Sequence, residues 1–318
     1  MSSGTEAHDP SVCEDADTSP AKLGRKATPV GLTRRTALIA AAAAATFAAP
    51  SARAEKMPRI VSIGSSLTEI IYALGAESLL VGVDTTSLFP AEARALPQVG
   101  YMRALSAEGV LSLKPSLILA TTAAGPATTL EQLRSTGIEV LVLPDRYDYD
   151  SVVAKIAAVG KVTGKSAEAE AMIARGRAEM ESLSARLARA GNKPRVLFLL
   201  SMGGGAPQAA GRDTAADGII KLAGGVNAID GYAGYRPLTP EAVIASRADF
   251  VLVTRQTVDA LGGVKAILDQ PAISRTPAGR DGKVVQFDAL LLLGFGPRTP
   301  QAAEELASAL HPDLVRTR

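Results

Sequence analysis

Short apolar runs and longer amphipathic ones alternate along the chain from Arg59 onward. Ile60-Val61-Ser62-Ile63 leads into Gly64-Ser65-Ser66-Leu67-Thr68-Glu69 and a periodic stretch closed by Gly75, which predicts a strand, a Gly/Ser loop and a helix. The strand signature returns at residues 79–83, 117–120 and 140–143, with helical segments between, and starts afresh at 193–200, 250–254 and 283–287. Strands that alternate with helices bury both faces of a sheet, so the pattern predicts an α/β fold of two Rossmann-like lobes with parallel-rich sheets, residues 55–160 and 192–318. Within the connecting segment 161–191, Met172, Ile173, Gly176, Met180, Leu183 and Leu187 recur at steps of three and four, which predicts one long interlobe helix over 166–190. A helix of that length spans about 37 Å. Two lobes on one stiff rod enclose a cleft that opens little. Ligands of such sheets bind beyond the carboxyl ends of the strands, so the loops at 64–68, 121–125, 202–212 and 254–257 are expected to face that cleft.

The two halves share an internal repeat. Leu105-Ser106-Ala107-Glu108-Gly109-Val110-Leu111 runs through Lys114 into the 117–120 strand, and Leu238-Thr239-Pro240-Glu241-Ala242-Val243-Ile244 runs through Arg247 into 250–254, without a gap. Ser106 and Thr239 are natural N-caps, and Glu108 and Glu241 fall in the positive first turn of each helix. Each glutamate either complements its helix dipole or, as one of a matched pair, serves a surface repeated on each lobe.

Upstream of Arg59 the pattern is different. Residues 1–30 are polar with no apolar period; Thr33-Arg34-Arg35-Thr36, the apolar run 37–49 and Ala52-Arg53-Ala54 follow in the order of a secretory signal peptide. A run of that length reaches about 20 Å as a helix against a hydrocarbon core of about 30 Å, so it does not span a membrane. Removal of residues 1–54 for periplasmic export is expected, by a Tat-like or a Sec route. Cys13 and His8 leave with that segment, and His311 alone of the two histidines remains. Zinc ribbons, disulfide scaffolds, Cys-His nucleophiles and multi-histidine metal sites are thereby excluded. Lys and Arg total 34 against 32 acidic residues, a balance that argues against nucleic-acid partners. No Walker A sequence or nucleophile elbow occurs, and no paired acid and base is visible, so a binding protein is expected and an enzyme is not.

The chemistry left is phenol and guanidinium. Tyr101 follows Gly100 in the loop Gln98-Val99-Gly100-Tyr101-Met102-Arg103, just ahead of the capped helix that bears Glu108. A loop aromatic beside glycine is easily presented to a cleft, although packing is the commoner fate of a tyrosine. The positive charge of Arg103 favours phenolate, the form that binds ferric iron, and Tyr is an established axial haem ligand. Tyr235 and Arg236 stand in nearly the same place ahead of Glu241.

These residues carry a resemblance. Val-Gly-Tyr-Met-Arg-Ala-Leu-Ser-Ala-Glu-Gly-Val from Val99, Gly-Gly-Gly-Ala-Pro-Gln from Gly203 and Gly-Tyr-Arg-Pro-Leu-Thr-Pro-Glu from Gly234 resemble the periplasmic haem-binding proteins of bacterial ABC haem importers. The resemblance implies a helix-linked substrate-binding protein that carries ferric haem b, with Tyr101 as axial iron ligand, Arg103 supporting it, and Glu108 and Glu241 docking the lobes on a permease dimer with its cytoplasmic ATPase. An outer-membrane receptor system upstream belongs to the same expectation. Some relatives use a second-lobe histidine for a further haem, and this chain has none there, so a single haem is expected. Tyr235, Arg236, Arg212 and Arg255 are the remaining candidates for contacts to the cargo. A ferric siderophore or cobalamin carrier of the same fold is the alternative, for it needs no tyrosine–arginine pair.

Overall fold

The computed structural model describes residues 57–200 and 207–315. The proposed leader and Gly203-Gly204-Gly205 lie outside them. The first lobe runs β1 Ile60–Ile63, α1 Ser65–Ala73, β2 Leu80–Val83, α2 Ala107–Ser112, β3 Leu117–Thr121, α3 Ala127–Ser135, β4 Glu139–Leu143 and α4 Tyr149–Thr163. Its four strands form a fully parallel sheet in the order β2-β1-β3-β4. Ile60, Val61 and Ile63 are all buried, because helices cover both faces of the sheet and leave no polar side.

α5, Ser166–Leu187, is the interlobe helix. It stops three residues short of the expected end at 190 and reaches about 33 Å. Residues 161–163 belong to α4, which ends on Gly164 in the left-handed region (φ 72°), so the joint between lobe and rod is two residues long. Ala169, Gly176 and Leu183 form its buried stripe. A Cβ on Gly176 would overlap the Tyr149 hydroxyl at the head of α4 and lie 3.5 Å from Pro300, so at this point the helix is wedged against both lobes.

The second lobe runs β5 Arg195–Leu200, β6 Gln208–Ala210, α6 Ala215–Leu222, β7 Val226–Asn227, β8 Tyr235–Pro237, α7 Pro240–Ser246, β9 Phe250–Thr254, α8 Arg255–Ala260, α9 Val264–Leu268, α10 Pro277–Asp281, β10 Val284–Phe287, α11 Ala289–Leu293, α12 Thr299–Leu310 and α13 Pro312–Val315. Its sheet is mixed. β10, β9, β5 and β7 are parallel, but β6 turns back antiparallel to β5 and β8 antiparallel to β6, in the order β10-β9-β5-β6-β8. The stretch expected to be a cleft loop is therefore partly an edge ladder.

The sequence repeat is a structural one. Lys114 and Arg247, at corresponding positions after α2 and α7, both adopt left-handed backbone, φ 49° and 48°. An L-residue there costs about 1–2 kcal/mol. Each bend is braced by the arginine at the start of the first strand of its lobe. Arg59 Nη2 donates to the Leu113 carbonyl (2.7 Å) and Arg59 N to Ser116 Oγ (2.9 Å). Arg195 Nε donates to the Ser246 carbonyl (2.8 Å) and Arg195 N to Asp249 Oδ2 (2.8 Å), at the equivalent places.

Candidate ligand cleft

Tyr101 sits on the excursion that leaves β2 and returns to α2. Its root is a buried carboxylate. Asp84, the first residue after β2, is 0 % exposed and accepts from Gly64 N (2.9 Å), Thr86 N (2.9 Å), Thr86 Oγ1 (2.6 Å) and Ser87 Oγ (2.8 Å). Four donors satisfy a charge that would otherwise be costly at that depth. The two arms are then stitched together, Val99 N to the Val83 carbonyl (2.9 Å) and Thr85 N to the Gly100 carbonyl (3.0 Å). Gly100 takes φ +96°, which only glycine adopts without strain, and Ala104 N closes the next turn on the Tyr101 carbonyl (2.8 Å). Gly125 N reaches the Met102 carbonyl (2.8 Å), which ties this turn to the loop after β3. Tyr101 thus projects from a doubly pinned turn and remains 49 % exposed.

Arg103 is exposed beside it, and its charge reaches two further tyrosines. Burial raises the pKa of Tyr147 and Tyr235, and Arg103 opposes that rise in both. Tyr147, between β4 and α4, packs edge-on against Phe295 of the second lobe (5.4 Å between centroids). A Cβ on Gly218 of α6 would overlap the Tyr147 carbonyl. Tyr147 and Tyr235 therefore form the floor where the lobes meet, with Arg103 within electrostatic reach. Underneath, Lys155 of α4 is wholly buried and donates to Asp145 Oδ1 (3.1 Å) and Ser66 Oγ (3.3 Å). Burial pushes its ammonium below the usual lysine range, and Asp145 counters this. The pair fastens the Tyr147 loop to α1.

The second-lobe candidates are placed differently. Tyr235 lies on β8 opposite Ala210, its ring edge-on to Phe198 (6.4 Å), with Thr214 and the Ala216 backbone opposing the rise that burial causes in its pKa. It is packed where Tyr101 is presented, because its own edge strand pairs with β6. Arg236 is exposed and stacks over Tyr232, 4.9 Å from the ring centroid. Arg212 is exposed on the adjoining arm, paired through its backbone with Tyr232 and Gly234. Arg255 is exposed two strands away, at the carboxyl end of β9. Glu108 and Glu241 are both exposed at the second residue of their helices, behind Ser106 and Thr239, whose hydroxyls accept from Gly109 N (3.5 Å) and Ala242 N (3.3 Å). Among the described residues no cluster of His, Cys, Asp or Glu is arranged to hold a bare metal ion.

A model of the periplasmic binding proteins matches residues 60–290, most of both lobes and the whole of the rod. This chain belongs to the periplasmic binding protein family. Among solved structures, this family member is similar to the periplasmic heme-binding protein BhuT in complex with two hemes: 42% identity, TM-score 0.76, covering 81% of this chain and 99% of that one. It is similar also to the periplasmic heme-binding protein RhuT from Roseiflexus sp. RS-1 in apo form: 40% identity, TM-score 0.76, covering 81% and 100%. A cobalamin-binding protein of Halobacterium salinarum is 29% identical over 269 residues, covering 81% of this chain and 70% of the relative.

Sequence reasoning singled out Tyr101, Arg103 and the two glutamates but passed over Asp84, Lys155, Tyr147 and the lobe-bridging pair of Glu69 and Arg298. Asp84 had a signal, an acidic residue ending an apolar strand before a Thr-Thr-Ser run that can donate to it. Lys155 had another, a cation on the apolar stripe of its helix.

Proposed function

We propose that this periplasmic binding protein carries ferric haem outside the cytoplasm and hands it to the permease of an ABC importer. Tyr101 ligates the iron as phenolate, and Arg103 stabilises that charge. The observation that carries the reading is a half-exposed phenol held at the tip of a doubly pinned turn, in a chain 42% identical to a protein solved with hemes. Arg212 and Arg236 on the β6 and β8 arms, with Arg255, supply cations for the two haem carboxylates. Tyr235 backs the cleft floor. Glu108 and Glu241 meet the permease dimer, one lobe to each subunit, and its cytoplasmic ATPase drives uptake. Export through the 1–54 leader and an outer-membrane receptor upstream complete the route.

Hemin titration of the leaderless protein tests this. Saturation at one equivalent with a high-spin ferric spectrum and a phenolate charge-transfer band is expected, with loss of that band in Tyr101→Ala. Saturation at two equivalents, as the two hemes of BhuT suggest, would correct the stoichiometry, and an unchanged spectrum in Tyr101→Ala would remove the ligand assignment. The Halobacterium relative favours a second reading, cobalamin, which saturable cyanocobalamin binding that excludes hemin would establish.

A further inference from the structure

One short segment of the second lobe touches three separate elements of the first. Phe295 packs on Tyr147 of the β4–α4 loop. Gly296 lies against Ser66 and Glu69 of α1, where a Cβ would come within 3.6 Å of both. Arg298, just ahead of α12, forms a bidentate pair with Glu69, Nε to Oε1 at 2.7 Å and Nη2 to Oε2 at 2.9 Å. Its guanidinium also lies 3.6 Å from the centroid of Phe89, which belongs to the same 84–103 excursion that carries Tyr101. Phe295 adopts φ 46°, a conformation a bulky residue takes only when its surroundings over-determine it.

We infer that residues 295–298 are a release latch, with Arg298 positioning the Tyr101 segment against the second lobe, so that separation of the lobes withdraws the iron ligand. This rests on the haem reading above. Glu69 is only 7 % exposed, so its pair with Arg298 is far from a screened surface contact, and loss of either partner strands a charge at the lobe junction. The hydrogen bonds it donates to Glu69 hold the Arg298 pKa above its ordinary value, so the cation persists at every physiological pH. The cation–π contact makes the coupling specific. Arg298 cannot leave Glu69 without also leaving Phe89, and Phe89 is joined to Tyr101 through the stitched arms of the excursion. The rod α5 permits only small lobe movements, and a bidentate pair is sensitive to movements of that size. A permease that grips both lobes and draws them apart would break this contact before it bends the rod.

Two measurements test the latch. The first follows hemin transfer to excess apomyoglobin by stopped flow. Arg298→Ala is expected to lose hemin about tenfold faster with a nearly unchanged association rate, and Arg298→Lys to fall between it and the parent. A Glu69→Arg, Arg298→Glu double variant is expected to recover part of the loss. The second measures the spacing of spin labels on Gln132→Cys and Asp259→Cys, one in each lobe, without ligand. A broader or longer distribution in Arg298→Ala supports the latch even if hemin proves not to be the cargo, which the titration decides separately. A distribution and a hemin off-rate that both match the parent, with only a lower melting temperature, would overturn it and leave a structural bolt. Should Arg298→Ala fail to fold, Phe89→Leu keeps the ion pair and is expected to release hemin about threefold faster; an unchanged rate there overturns the coupling to Tyr101.

Discussion

The helix–bend–strand modules of the two lobes are built alike, yet the tyrosines just ahead of them are not. Lys114 and Arg247 share a left-handed bend, Arg59 and Arg195 brace it from corresponding strand starts, and Ser106 and Thr239 cap corresponding helices. Ahead of α2 the chain passes through a glycine turn that leaves Tyr101 half exposed; ahead of α7 it passes through an edge strand that draws Tyr235 onto Phe198. Duplication has kept what both copies need, a braced helix end with a glutamate at the surface. It has diverged at the tyrosine, which the first lobe exposes and the second packs.

The largest effect should come from the tyrosines themselves. Tyr101→Ala is expected to weaken hemin binding by about 100-fold or more and to erase the phenolate band, since the ligand is lost outright. Tyr235→Phe should leave the band in place and cost no more than about 1 kcal/mol of stability, read by denaturant titration. A reversal of the two phenotypes would move the iron ligand to the second lobe.

Next come the bends. Gly at position 114 or 247 removes the left-handed penalty, so Lys114→Gly and Arg247→Gly are each expected to stabilise the fold by up to about 1 kcal/mol, and by similar amounts. Unequal effects would mean that Arg59 and Arg195 brace their bends to different degrees. The glutamates are subtler in isolation. Glu108→Ala and Glu241→Ala should each cost about 0.3–1 kcal/mol as helix-end charges and leave hemin titration intact. The double variant should transfer haem poorly to permease in vesicles. Transfer at the parent rate would reduce both residues to dipole complements.

Legibility followed locality. β1, β3 and β9 were readable because they are continuous apolar runs with both faces covered. β6 and β8 are three residues each with no periodicity, and they are strands because β6 pairs with both β5 and β8, so nothing local announced them. The same remoteness hid the fate of Tyr235. Tyr101 could be singled out because its turn is made by its own neighbour, Gly100. Glu69 and Arg298 are 229 positions apart, and in sequence each is an ordinary charge near a helix start. What escaped the sequence is the set of contacts by which one lobe holds the other.

The last asymmetry is a proton. His311 follows α12 in the second lobe, 6 % exposed against Gly224, and the first lobe has no histidine. Burial pushes the imidazole below its ordinary value, and the backbone of Gly224 and Ala223 opposes this without cancelling it. The unfolded chain, with an imidazole near the ordinary value of about 6.5, then binds a proton that the folded chain refuses. Stability is therefore complete above that value and declines as pH falls from it toward the lower folded-state value. The Arg186–Glu304 ion pair shares the small recess beside the ring. Melting curves from pH 7 to 5 should show a decline in the parent that is shallower in His311→Gln, while the Tyr101 band, which belongs to the other lobe, should be equally affected in both. If the two stability profiles coincide, the acid response belongs to carboxylates common to both lobes, and this difference between them disappears.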